Sequence, residues 1–216
     1  MGTARLDQTT RLHAGEAVMK WMLACGVQRR EGYHHIDCAP GCRPDEIADL
    51  LSPAWWESKE NGSVDEIVIE HFLEHVPHQL PDRYAHGTIM RTPEDGLVWF
   101  MNECYRVLKS GGTMEVAYPH HQCHAAYSDP THTRFITEHT FGYFDALLRP
   151  VRGHGHYPID TDFEMSNRKS YGLLDHASHL SHPERALELE IMAREHWNVM
   201  WECRIWMTAH KPARQP

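Results

Sequence analysis

Three groups of residues in this 216-residue chain have types and spacings that could do chemistry. In the first, an apolar run from Met19 to Ala24 leads into Cys25-Gly26, and a second short extended segment, Tyr33 to Ile36, ends in Asp37. A strand closed by a glycine turn, beside a strand tipped by a carboxylate, is how an open α/β sheet grips a nucleoside. Glycine lets backbone approach ligand closely, and Asp37 would accept the ribose hydroxyl protons. Asp49-Leu50, ending a third extended piece from Glu46, would reach the base; the alternative is an acid capping the turn near Ser52-Pro53. The second group is His71-Phe-Leu-Glu-His75, an H-x-x-E-H spacing that on one helix face binds zinc, with Glu74 as base. The third is PHHQCHAAYSDPTHTR, 119–134, which holds His120, His121 and, in Asp129-Pro-Thr-His132, an acid that could orient an imidazole.

These groups need a scaffold. Val64 and Ile67 to Ile69 read as a central parallel strand, so His71 falls at its carboxyl end, where α/β proteins bind ligands. Residues 77–96 hold prolines and polar groups and read as an inserted loop. Leu97, Val98, Met101, Cys104, Tyr105 and Leu108 recur at helical spacing, with Gly111-Gly112 as the stop. Thr113 to Tyr118 alternates as a fifth strand, placing His120 at the same edge. A helix is expected over 137–148, loop over 149–183, and a terminal antiparallel hairpin from Ala186–Met192 and Val199–Ala209. Residues 1–17 read as a polar lead-in.

Composition narrows the classes. The net charge of −9 argues against a nonspecific nucleic-acid binder. No apolar run approaches the ~18 residues of a membrane span, and the N-terminal stretch lacks the apolar core of a signal peptide. Six cysteines without a C-x-x-C fit reduced thiols in a cytoplasm better than disulfides. Nineteen histidines invite a metal, but a polar surface accounts for them too, and no metal ligand is assigned. The length fits a single domain, 1–216, with 77–96 and 149–183 as insertion or lid segments.

The order of these pieces resembles the class I S-adenosylmethionine-dependent methyltransferases, in particular the methyltransferase type 11 group. LACG at 23–26 is similar to that family's glycine motif, Asp37 to its ribose-binding acid, SVDEIVIEHFLEHVP at 63–77 to its fourth-strand motif, and MNECYRVLKSGGTMEVAYPH at 101–120 to its fifth-strand segment. The motifs cover roughly 18–145. The resemblance implies a Rossmann-like, doubly wound, mostly parallel sheet with a C-terminal antiparallel hairpin, and S-adenosyl-L-methionine as cofactor. Ala24, Cys25 and Gly26 would pass the methionine part, Asp37 hold the ribose, Asp49 and Leu50 the adenine, and His71 face the methionine carboxylate or the substrate. The acceptor, implied to be a small molecule, would attack the sulfonium methyl in line, helped by a base of pKa near 7. His71, His120, His121 and His132, with Asp129, are the candidates. Two departures stand out. Ala24 replaces a motif glycine, acceptable where its φ is negative, and Gly26 lies so close to Asp37 that the first crossover helix must be reduced to a loop. Three alternatives remain: a zinc hydrolase built on His71, Glu74 and His75, a histidine-lined metal site within 120–132 that assists transfer to a catechol-like or carboxylate substrate, and a binding module that keeps the sheet without the chemistry.

Overall fold

The structure is a computed structural model that describes residues 18–79, 83–85, 88–90 and 95–215; the 1–17 lead-in and parts of the 77–96 insertion lie outside them. In chain order the elements are β1 (Lys20–Leu23), β2 (His34–Asp37), β3 (Glu46–Ile47), α1 (Pro53–Glu57), β4 (Val64–Glu70), β5 (Arg83–Ala85), β6 (Thr88–Met90), α2 (Gly96–Val107), β7 (Leu108–Pro119), α3 (Ala125–Ser128), α4 (Glu138–Phe141), α5 (Leu148–Val151), β8 (Phe163–Leu173), α6 (Ala186–Glu195) and β9 (Met200–Ala209). Seven strands form one sheet in the order β3-β2-β1-β4-β7-β9-β8, and β5-β6 form a separate antiparallel pair inside the 77–96 insertion.

β1 pairs in parallel with β2 and β4, and β4 with β7. β9 runs antiparallel to both β7 and β8, so β8 is parallel to the rest and β9 alone is reversed. The expected mostly parallel sheet with an antiparallel C-terminal part is therefore present. Its first partner is not the expected one. Ala186–Met192 is not a strand but the start of α6, and the strand that pairs with β9 is β8, within the stretch read as loop.

Side chains alternate across the sheet. Trp21, Leu23, Ile67, Ile69, Met114, Val116, Ile205 and Met207 enter one core with Trp56 of α1 and Leu97, Phe100, Met101 and Cys104 of α2. Asp95 caps α2 by accepting from the Leu97 N–H at 2.9 Å. The helix ends at Val107, before the glycines. Gly111, at φ 78°, instead sits where β4–β7 pairing jumps from Val64↔Leu108 to Glu66↔Thr113, so the Gly-Gly pair serves a bulge. The expected helix over 137–148 is broken into α4, a 3-10 turn at Gly142–Phe144 and the start of α5.

Among the described residues the other sheet face carries a small apolar cluster, Met22, Cys25 and Val68 with Tyr33, and also Ala117 and Trp206. It is otherwise charged: Lys20 pairs with Glu66 at 2.8 Å, Arg30 with Glu115 at 3.0 Å, and Arg204 with both Glu70 and Glu115. Residues 24–33 between β1 and β2 contain turns and no helix, as the short link requires. No described helix is long and apolar enough to cross a membrane.

Candidate active site

The two central parallel strands end level, with Leu23 of β1 opposite Ile69 of β4. Each is followed closely by a non-glycine residue in the left-handed region, Ala24 at φ 51° and His71 at φ 52°. This conformation costs an L-residue roughly 1–2 kcal/mol. Strain of this kind persists where the surroundings over-determine it, and it gathers at functional sites. Ala24 therefore does not meet the condition of a negative φ under which it replaces the motif glycine without strain.

At the β1–β2 tips the chain folds onto Asp37. This buried carboxylate accepts from the Gly26 N–H through Oδ2 and from the Ala39 N–H through Oδ1, both at 2.8 Å. Each oxygen keeps a second lone pair. A Cβ built on Gly26, at φ 52°, would meet nothing within 4 Å, so the turn faces open space. Cys25 packs its side chain with the Met22–Val68 cluster. Arg29 ties the same loops together: its guanidinium donates to the Gly26 carbonyl at 3.2 Å, to the Arg43 carbonyl at 2.7 Å, and to that of Cys42. Asp49 closes the turn before α1, its Oδ1 accepting from the Leu51 N–H at 2.9 Å and its carbonyl from the Ser52 N–H at 3.0 Å, and it does not cap the helix itself. Leu50 is core, and its carbonyl accepts from the Trp56 indole N–H at 2.9 Å.

At the tips of β4 and β7 lies a cleft of about 560 Å³ lined by His71, Glu74, His75, Pro119, Ala125, Ser128, Asp129, His132 and Trp201. Three of the sequence candidates, His71, Asp129 and His132, meet here. His71 stacks on Trp201, with ring centroids 5.7 Å apart. Its Nε2 is 2.8 Å from Glu202 and its Nδ1 is 3.5 Å from Glu74. Burial alone would lower its pKa, but the two carboxylates push it up to about 9. It is a cation near neutral pH, not a base of pKa near 7. His71 is also not helical: only Leu73–His75 form a 3-10 turn. The two histidines of H-x-x-E-H therefore share no helix face, and the zinc-hydrolase arrangement of His71, Glu74 and His75 is not built.

His132 donates from Nδ1 to the Ala126 carbonyl at 2.9 Å, which leaves a lone pair on Nε2. Its tautomer is set by that carbonyl and not by Asp129, whose Oδ2 is 4.0 Å from Nε2. Asp129 instead accepts from the Thr131 N–H at 2.8 Å and hydroxyl at 2.6 Å, which holds its carboxyl below the usual range. His120 lies outside the cleft lining. Its Nδ1 accepts from the Gln122 N–H at 3.2 Å. Burial, with His121 beside it, lowers its pKa to about 4, so it is neutral near pH 7. Sequence reasoning missed Trp201 and Glu202, which arrive from β9 with no local signal. Glu74 and His75 were visible only through their spacing.

No protein-family model and no curated protein matches the sequence. Solved structures do. An S-adenosylmethionine-dependent methyltransferase from Mesorhizobium loti is similar over 89% of this chain and 91% of its own, at 12% identity and a TM-score of 0.50. A SAM-dependent methyltransferase from Archaeoglobus fulgidus is similar over 89% and 86%, at 14% identity and a TM-score of 0.49. At 12% identity the likeness to the Mesorhizobium loti structure is one of architecture, and together with the strand order it establishes that this chain has the class I methyltransferase fold.

Proposed function

We propose that the protein is an S-adenosylmethionine-dependent methyltransferase acting on a small molecule. The observation that carries this is the coupling of Asp37 to Gly26: a buried carboxylate at the β2 tip, bonded to the N–H of a left-handed turn that opens onto space. Those residues fit a nucleoside. Ala24 and Gly26 would offer backbone to the methionine portion, and Asp37 would use its remaining lone pairs for the ribose. Asp49 and Leu50 would contribute backbone to the adenine's surroundings, since one side chain caps a turn and the other is core. Arg29 crosses between the two loops and must swing out first; it is exposed, so it can.

The bound cofactor supplies an electrophilic methyl on a good leaving group, so the protein's task is to orient the acceptor and exclude water. The cleft beside His71 would hold that acceptor. His132 Nε2, with its lone pair toward the cleft, would take the acceptor's proton. His71 would act as a fixed cation, binding a carboxylate or pinning Glu202 and Glu74, and His120 would serve as a buried structural imidazole. The chain would work as one domain, with the hairpin-bearing 77–96 segment as a cover. The free thiols fit a cytoplasmic enzyme.

The rival binding-module reading draws on Arg29, whose contacts close the crevice from within. Calorimetry with S-adenosylmethionine, followed by assay of S-adenosylhomocysteine release on small acceptors, decides. The proposal expects one-to-one binding, weakened at least about tenfold in Asp37→Asn with the fold checked by thermal melting. Binding without release on any acceptor favours the module, and no binding removes both.

A further inference from the structure

Glu74 is 2% exposed, and neither of its carboxylate oxygens accepts a hydrogen bond from any described residue. Its nearest basic nitrogens are His71 Nδ1 at 3.5 Å and His132 Nε2 at 4.0 Å. Buried polar groups are almost always hydrogen-bonded, and a buried carboxylate compensated only by the His71 imidazolium at 3.5 Å is costly. The fold nevertheless fixes this one firmly. The Glu74 carbonyl accepts from the Thr133 N–H at 2.8 Å, and the Val76 carbonyl accepts from the Thr133 hydroxyl at 2.9 Å and from Arg134 Nε at 2.7 Å. The turn bearing Glu74 and His75 is thereby riveted to the segment bearing His132.

One donor atom from each of Glu74, His75 and His132 falls within 4.8 Å of the others. In His132, Nδ1 donates to a backbone carbonyl and Nε2 is bare. In His75, Nδ1 is 2.9 Å from the Thr131 hydroxyl oxygen. That hydroxyl gives its proton to Asp129 at 2.6 Å, so His75 Nδ1 must be the donor and its Nε2 is bare as well. Each imidazole thus has one nitrogen anchored by an oxygen acceptor and the other without a hydrogen-bond partner among the described residues, the pattern by which proteins fix metal-binding histidines. Two imidazole nitrogens and one carboxylate leave coordination positions open, and they suit zinc or another first-row divalent ion.

We propose that Glu74, His75 and His132 form a binding site for a first-row divalent metal ion, with its open positions facing the cleft. Metal–ligand bonds of about 2.0–2.2 Å set the donors roughly 3.3 Å apart, so from a spread within 4.8 Å the side chains must close by up to about 1.5 Å. The site stands without the cofactor. Its role alone rests on the methyltransferase reading: there the ion would take the His132 lone pair, so that His132 serves as ligand in place of base, and would bind the acceptor's hydroxyl oxygen and lower its pKa so that the proton passes to solvent water before the oxygen attacks the methyl.

The test is zinc titration of chelator-stripped protein against a chromophoric competitor. One tight equivalent is expected, weakened by at least about 100-fold in His132→Ala and in His75→Ala. Thr131→Val, at an exposed position, replaces only the hydroxyl between His75 and Asp129 by a methyl and should weaken it by about 10- to 100-fold without threatening the fold. His182→Ala, at a solvent-exposed imidazole, should leave it unchanged. No tight equivalent, or one indifferent to His75, His132 and Thr131, overturns the site. Titration of the same samples with S-adenosylmethionine separates the two claims. Zinc uptake without cofactor binding leaves the site standing and removes the methyltransferase reading; cofactor binding without zinc uptake does the reverse.

Discussion

At the scale of single residues, the same chemical type does different work according to its neighbours. His71, between two carboxylates, is held charged; His120, buried beside His121, is held neutral. For His120 the consequence for stability has a definite sign. Its folded pKa of about 4 lies below the ordinary 6.5. As pH falls through 6.5 the unfolded chain binds a proton that the folded chain refuses, so stability is complete above that pH and is lost progressively toward 4. Glu138 opposes the shift and His121 reinforces it. His120→Asn keeps an acceptor for the Gln122 N–H and removes the titration. Its denaturation midpoint should therefore fall less than wild type between pH 6.5 and 4; parallel curves would count against the buried neutral imidazole. Arg29 is the other informative residue. Its guanidinium spans the Gly26 and Cys42–Arg43 carbonyls, so Arg29→Ala should bind S-adenosylmethionine several-fold more tightly at little change in melting temperature. Weaker binding would mean that Arg29 contacts the cofactor instead of guarding its place.

At the scale of elements, the strands that carry the site were legible because β1 and β4 are short apolar runs ended by polar turns. α2 was legible from its helical spacing. Phe100, fully buried against Trp56 with ring centroids 5.5 Å apart, anchors that helix to the sheet. Phe100→Ala should cost about 3–5 kcal/mol in chemical denaturation, and a loss under 1 kcal/mol would show that α2 does not hold the core. The C-terminal third was misread for a physical reason. Leu187, Leu189 and Ile191 alternate like a strand, yet Leu187 and Ile191 are exposed. What packs is Leu189, Met192 and Ala193 at helical spacing, against Ala177, Leu180, Val199 and Met200. β8 was invisible because a polar edge strand has one neighbour to satisfy and needs no apolar run. The αL turns at Ala24 and His71 were unreadable too, since neither residue type announces that conformation.

At the scale of the molecule, one sheet edge gathers two different environments. The β1–β2 tips form a glycine turn over a buried acid, and the β4–β7 tips form a cleft walled by imidazoles, with β9 delivering Trp201 and Glu202 to it from the far end of the chain. An ion-pair chain then runs from His71 through Glu202 and Arg204 to Glu115 and Arg30 across the less apolar sheet face, joining the cleft to the loop that bears Arg29. The central claim is that these two halves form one site for an adenosine-bearing methyl donor and its acceptor. Calorimetric titration with S-adenosylmethionine, read together with hydrogen-exchange protection along the chain, tests it most directly. One-to-one binding that protects amides at 24–39 and 71–76 together is expected; no binding, or protection confined to residues outside both stretches, would refute a shared site.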